Sequence, residues 1–223
     1  MAIVAVGVAA AVWVHFRSES MPAVRPGASW SQGTVGYDQV REDLRRLPVK
    51  GWDRRRDFAR HQFGEAWTDD VDVELGHNGC NTRDDVLRRD LADLAVRPGT
   101  CFAQSGTLRD PYGGETITFV RGPKTSDTVQ IDHVVSLADA WYKGARDWDA
   151  QRRRDFANDP RNLLAVGAKG NFDKAFRDAA SWLPPNVAYR CQFVARQVAV
   201  KTAYGLWVSD KEERAMAEIL AGC

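Results

Sequence analysis

The sequence predicts an α+β fold: a mostly helical single domain around a strand–strand–helix (ββα) core at residues 127–180, with an added β-hairpin and two disulfides as staples. Three observations carry this. Apolar stripes at helical spacing, opened by capping residues, recur from residue 37 to the C-terminus. The period changes to two only between residues 101 and 135, with one further short apolar run at 163–166. The chain has 223 residues, 44% of them hydrophobic, which is enough for one well-packed core.

Lys and Arg number 31 against 30 Asp and Glu, so a net charge of +1 exerts no global pull on nucleic acid. A polyanion would have to be met by a local patch. Residues 2–14 are an uninterrupted run of Ala, Val, Ile, Gly and Trp, shorter than the roughly 20 residues that span a bilayer. Residues 1–18 are therefore expected to be a signal peptide or membrane anchor, with 2–14 as the tether, although no Lys or Arg precedes the run. Residues 19–36, rich in Ser, Pro and Gly, are expected to link it to a domain at 37–223. Four cysteines without a C-x-x-C pair suit disulfides in an oxidising compartment better than a thiolate zinc site.

Tyr37, Val40, Leu44 and Leu47 form one helical stripe that Pro48 ends. Residues 52–67 interleave Arg54, Arg55, Arg56, Arg60 and His61 with Phe58 and Phe63. That pattern suits a charged helix with an aromatic core stripe, or a grip on a nucleic-acid backbone. Thr82 is placed to cap a helix with Asp85 three residues on, Leu87, Leu91 and Leu94 inside, and Pro98-Gly99 as its end. Its other face carries Arg83, Arg88 and Arg89, positive enough to touch phosphates. Residues 101–108 and 116–120 flank the turn Asp110-Pro111-Tyr112-Gly113-Gly114 as a β-hairpin.

A further strand at 129–135 holds the ionisable pair Asp132-His133 among Val129, Ile131, Val134 and Val135. Polar neighbours in a strand core must find partners or be used. Ser136 with Asp139 then caps a helix at 137–148. A turn at 158–162 leads to the strand 163–166, a second turn spans 167–170, and a helix follows from Asn171 until Trp182-Leu183-Pro184-Pro185. Helices at 187–204 and 211–221, the second opened by a Ser209–Glu212 capping box, are joined by a short turn and so lie antiparallel. Cys191 and Cys223 each stand about 13 residues, roughly 20 Å, from that turn. They are expected to pair, leaving Cys80 to Cys101.

This ββα arrangement, with Asp132-His133 on its first strand, Asn162 near its second and Asn171 on its helix, resembles the HNH, or ββα-metal, endonucleases. Further stretches, Cys80-Asn81-Thr82-Arg83, Asp110-Pro111-Tyr112, Ile131 to Val135, Phe156 to Leu163 and Trp182 to Asn186, resemble an exported bacterial HNH family related to the GmrSD restriction endonuclease C-terminal domain. The resemblance covers residues 52–223.

It implies an exported, metal-dependent endonuclease that hydrolyses phosphodiester bonds of DNA, with RNA as a second substrate and little sequence preference. By resemblance His133 is the general base, and Asp132 and Asn171 hold the metal. Asn162 ties the loop between the strands to the backbone near His133 without touching metal. Lys174, three residues past Asn171, and Arg83 are expected to meet substrate phosphate. Asn171 supplies a hard amide oxygen where many HNH proteins have His, so Mg²⁺ is the expected ion, with Mn²⁺ as substitute. The protein is expected to be a monomer with nucleic acid as its partner. The competing reading is a non-catalytic cell-surface or envelope-binding domain that keeps the ββα scaffold. One geometric condition applies: neighbours on a strand face opposite ways, so a bulge or the strand's end must let Asp132 and His133 converge with Asn171.

Overall fold

The computed structural model describes residues 36–53 and 55–223. The expected signal or anchor, the tether at 2–14 and nearly all of the linker lie outside them, as does Arg54. The first described helix, α1 (Tyr37–Arg46), buries Leu44. Residues 52–67 are not the expected helix: only a 3₁₀ turn forms, Arg60–Phe63, ended by Gly64 at φ 81°. The aromatics are spaced for separate partners instead, Trp52 against Tyr142, and Phe58 and Phe63 against Trp141.

Helix α2 (Thr82–Asp90) is capped by Asn81, whose side chain accepts from the Asp84 amide at 2.9 Å. Thr82, expected as the cap, instead donates its hydroxyl to the Thr68 carbonyl at 2.9 Å. The helix stops before Leu91, and residues read as its last turn form strand β1 (Ala92–Val96), antiparallel to β2 (Ala103–Arg109). Strand β3 (Thr116–Val120) completes a three-stranded antiparallel sheet from the expected hairpin. The extra strand is a tertiary outcome, because its hydrogen bonds go to a segment beyond the turn at 97–100.

Strand β4 (Val129–His133) runs into α3 (Leu137–Tyr142), capped by Ser136 as its spacing to Asp139 implied. This helix is shorter than expected, and Gly144 at φ 130° redirects the chain into a second, unanticipated helix, α4 (Ala150–Asn158), capped by Asp149. Strand β5 (Leu163–Gly167) pairs antiparallel with β4 in unbroken register, from Val129 opposite Gly167 to His133 opposite Leu163. Helix α5 (Ala168–Lys174) follows without the expected turn. At Gly170 an added Cβ would stand 3.0 Å from the Tyr112 Cβ, a tighter contact than side chains usually make, so glycine lets α5 approach the buried ring. Helices α6 (Arg190–Tyr204) and α7 (Asp210–Ala221) close the chain, with the Ser209–Glu212 capping box in place.

The β4–β5 pair lies at the junction of the cores. Val129, Ile131, Leu163 and Ala165 face α2 and the three-stranded sheet, whereas Val134, Leu164 and Val166 face the α1–α6–α7 group and Tyr112. Phe63, Trp141, Phe156 and Leu206 fill the space under α3 and α4. Between α3, α6 and α7, Lys143 bonds Glu212 at 2.6 Å and Asp178 at 2.9 Å, and Lys201 bonds Asp139 at 2.9 Å. These buried charges are paired, as burial requires. Disulfides join Cys80 to Cys101 and Cys191 to Cys223, with Cα atoms 5.6 and 5.9 Å apart. The first ties the entry to α2 to the entry to β2, and the second ties the two C-terminal helices. No helix among the described residues is long and apolar enough to cross a membrane.

Candidate active site around His133

The regular register of β4 decides the geometry of the pair that stood out in the sequence. With no bulge, side chains alternate, so His133 shares the face of Val129 and Ile131 while Asp132 points the other way. His133 is the last residue of the strand and 7% exposed. Its Nε2 donates to the Ala157 carbonyl, at the end of α4, at 2.8 Å, and its ring stacks on Trp67 at 5.8 Å. A carbonyl can only accept, so Nε2 holds the proton and Nδ1 keeps the lone pair. Burial pushes the imidazole down to about 3, with the Arg60 charge acting in the same direction. His133 is therefore a neutral free base at any physiological pH.

The chain just past His133 is clamped. Asn162, fully buried, accepts from the Val135 amide at 2.8 Å and donates to the Val135 carbonyl at 3.2 Å. The Asn162 carbonyl accepts from the Val134 amide at 2.7 Å, and Gln197 donates to the Val134 carbonyl at 2.9 Å. This side chain thus holds the backbone that leads away from the imidazole.

On the opposite face, Asp132 accepts from the Tyr112 hydroxyl at 2.6 Å and from the Lys174 ammonium at 3.0 Å. Lys174 is fully buried and also donates to the His133 carbonyl at 2.8 Å. Burial pushes the Asp132 carboxyl up, against the pull of Lys174 and the Tyr112 hydroxyl. The phosphate role expected of Lys174 is corrected here: its ammonium is spent on Asp132 and a carbonyl and does not reach the surface. Arg83 is half-buried, and its Nη2 donates to the Ser126 and Val129 carbonyls at 3.2 and 3.0 Å, bracing the start of β4; phosphate contact through the rest of its guanidinium stays a proposal. Burial lowers its pKa. Asn171 donates to the Gln130 side chain at 2.8 Å, and Gln130 lies two residues from Asp132 on the same face.

Asp132 and Asn171 thus share one side of the strand and His133 the other, so the expected convergence of all three does not occur. Two hard oxygens have the right chemistry for Mg²⁺. The arrangement nevertheless does not fit the ion: Asp132 is 5% exposed, both its oxygens are engaged, and Lys174 already neutralises it. Among the described residues no three His, Cys, Asp or Glu side chains gather as metal ligands.

What His133 does face is a cavity of about 220 Å³, lined also by Arg60, Phe63, Trp67 and Asn158. Arg60 and Phe63 belong to the segment 52–67 weighed in the sequence as a nucleic-acid grip, whereas Trp67 and Asn158 were not singled out for a site. Trp67 holds φ at 62°, a left-handed conformation costing about 1–3 kcal/mol in a bulky residue, and its carbonyl is held by the Thr82 amide at 3.1 Å. The only sequence signal was the density of aromatics and cations between Trp52 and Trp67.

Residues 81–219 match the family described as GmrSD restriction endonucleases, C-terminal domain. An "Uncharacterized secreted protein" of Arthroderma benhamiae (strain ATCC MYA-4681 / CBS 112371) is 40% identical over 146 residues, which is 65% of this chain and 68% of that protein. That relative is fungal, so it lends no support to the bacterial part of the resemblance. No solved structure matches.

Proposed function

Since the chain belongs to the family of GmrSD restriction endonuclease C-terminal domains, we propose that it is an endonuclease hydrolysing phosphodiester bonds of DNA or RNA, with His133 as the base that activates water. One observation carries the reading: a neutral imidazole with its tautomer set by the Ala157 carbonyl lines a cavity beside a strained aromatic. In the reaction, water attacks phosphorus, His133 Nδ1 takes the proton, and the bond to the leaving oxygen breaks. An imidazole at about 3 is a weak base. A phosphodiester anion beside it raises its proton affinity, so base strength develops with substrate bound. Asn162 keeps the ring in place through Val134 and Val135, and Arg60 offers the cavity's rim a cation.

The resemblance implies Mg²⁺, or Mn²⁺, at Asp132 and Asn171, but with Lys174 and Tyr112 on Asp132 these two residues do not fit the ion, and no step is routed through it. The competing reading, a non-catalytic binding domain, is favoured by that same ion pair. Secretion is also proposed, on the two disulfides and the secreted relative. Incubating the protein with plasmid, single-stranded DNA and RNA in Mg²⁺, Mn²⁺ and chelator tests the assignment. Cleavage of at least one polymer is expected, and its absence under every condition leaves the binding-domain reading.

A further inference from the structure

Asn158 is 1% exposed and lines the cavity beside His133. Its Nδ2 donates to the Arg154 carbonyl at 3.0 Å, which fixes the orientation of the amide, yet its Oδ1 has no donor among the described residues. A buried acceptor left empty is costly, and such groups are normally satisfied. Phosphate oxygens cannot satisfy it, because they only accept. The same cavity is lined by the aromatics Phe63 and Trp67 and, among its charged side chains, by the exposed Arg60 and Glu65.

We propose that this cavity is a subsite for one unpaired nucleobase, which gives Asn158 Oδ1 an N–H and packs on Phe63 and Trp67 while Arg60 meets the adjoining phosphate. The inference rests on the nuclease reading and names its substrate class as single-stranded or locally unpaired nucleic acid. Volume agrees: about 220 Å³ suits one base and falls below the roughly 300 Å³ where pockets for larger ligands begin. The base does not slip between Trp67 and His133, whose ring centroids at 5.8 Å leave no room for a third ring. Every nucleobase carries a Watson–Crick-edge N–H, and in a duplex the partner strand holds it. A lone acceptor in a cavity that also presents aromatic rings therefore distinguishes unpaired from paired bases without choosing among the four, as in other stacking platforms for single strands.

Fluorescence anisotropy in chelator, with gel analysis checking that the probes stay intact, tests this with three labelled probes: a single-stranded oligodeoxynucleotide, the same backbone made wholly abasic, and a hairpin duplex. The single strand is expected to bind about tenfold or more tighter than either other probe. Asn158→Leu, checked for folding by its thermal melt, is expected to weaken single-strand binding about tenfold and leave abasic binding unchanged. Equal affinity for the abasic and base-bearing strands overturns the proposal, and so does equal affinity for the duplex. A folded Asn158→Leu that binds the single strand like wild type overturns it as well. The wild-type comparison decides the matter if the variant does not fold. Base-dependent binding without cleavage of any polymer would retain the subsite and remove the nuclease.

Discussion

Replacing Lys174 with Met keeps a linear side chain in the same space but removes the ammonium that lies on Asp132 at 3.0 Å and on the His133 carbonyl at 2.8 Å. Both partners of the ion pair are buried, Lys174 fully and Asp132 to 5% exposure. Breaking such a pair by deleting one member costs about 3–5 kcal/mol, and the orphaned carbonyl adds about 1–3 kcal/mol. Protonation of Asp132 limits the total, because a neutral carboxyl is cheaper to bury than a charge. The net expectation is about 4 kcal/mol, or roughly 8–16 °C in melting temperature for a domain of this size. Urea unfolding at pH 7 measures it. Without Lys174 the Asp132 carboxyl is raised further above its unfolded value, so the deficit should shrink as pH falls and the group becomes neutral in both states. Asp132→Asn in the Lys174→Met background should return at least about 2 kcal/mol through the coupling of the two sites. A loss under about 1 kcal/mol, or no recovery in the double variant, would refute the buried pair.

Three further outcomes follow from the same contacts. Millimolar Mg²⁺ should leave the wild-type melting temperature unchanged but raise that of Lys174→Met, where the carboxylate is freed; equal rises in both proteins would show that the ion displaces the lysine readily. His133 is held at about 3 against 6.5 when unfolded, so the unfolded chain binds more protons between those values and stability falls as pH drops through that window. Between pH 7 and pH 4 the contribution is on the order of 3 kcal/mol, and denaturation curves for His133→Asn should lose that part of the slope; identical slopes would contradict the burial of a neutral imidazole. Asn162→Ala strands the Val135 amide and carbonyl and should cost about 2–4 kcal/mol by chemical denaturation. A near-neutral effect there would mean that water replaces the amide.

Local chemistry was legible in the sequence and remote pairing was not. The caps at Ser136 and Ser209 depend on residues three positions away, and the Cys191–Cys223 bridge on two helices joined by a short turn. Strand β4 stood out through Val129 and Ile131. Strand β1 was hidden because Leu91 and Leu94 suit a helix until a distant strand offers hydrogen bonds. Lys174 was expected at substrate phosphate from its helical spacing to Asn171, yet the partner that draws it inside, Asp132, is 42 residues away in sequence. The conflict between strand alternation and a shared site was visible at Asp132 and His133 from the start. Its resolution was not, because it rests on an unbulged register and on Trp67, Ala157 and Asn158 brought in from other elements.

The assignment of His133 as the base is tested most directly by plasmid and single-strand cleavage with His133→Ala, with and without added imidazole. The account predicts a fall of about a hundredfold or more, as for loss of a general base, and partial recovery when imidazole enters the vacated space beside the cavity. Cleavage by His133→Ala at the wild-type rate would contradict it.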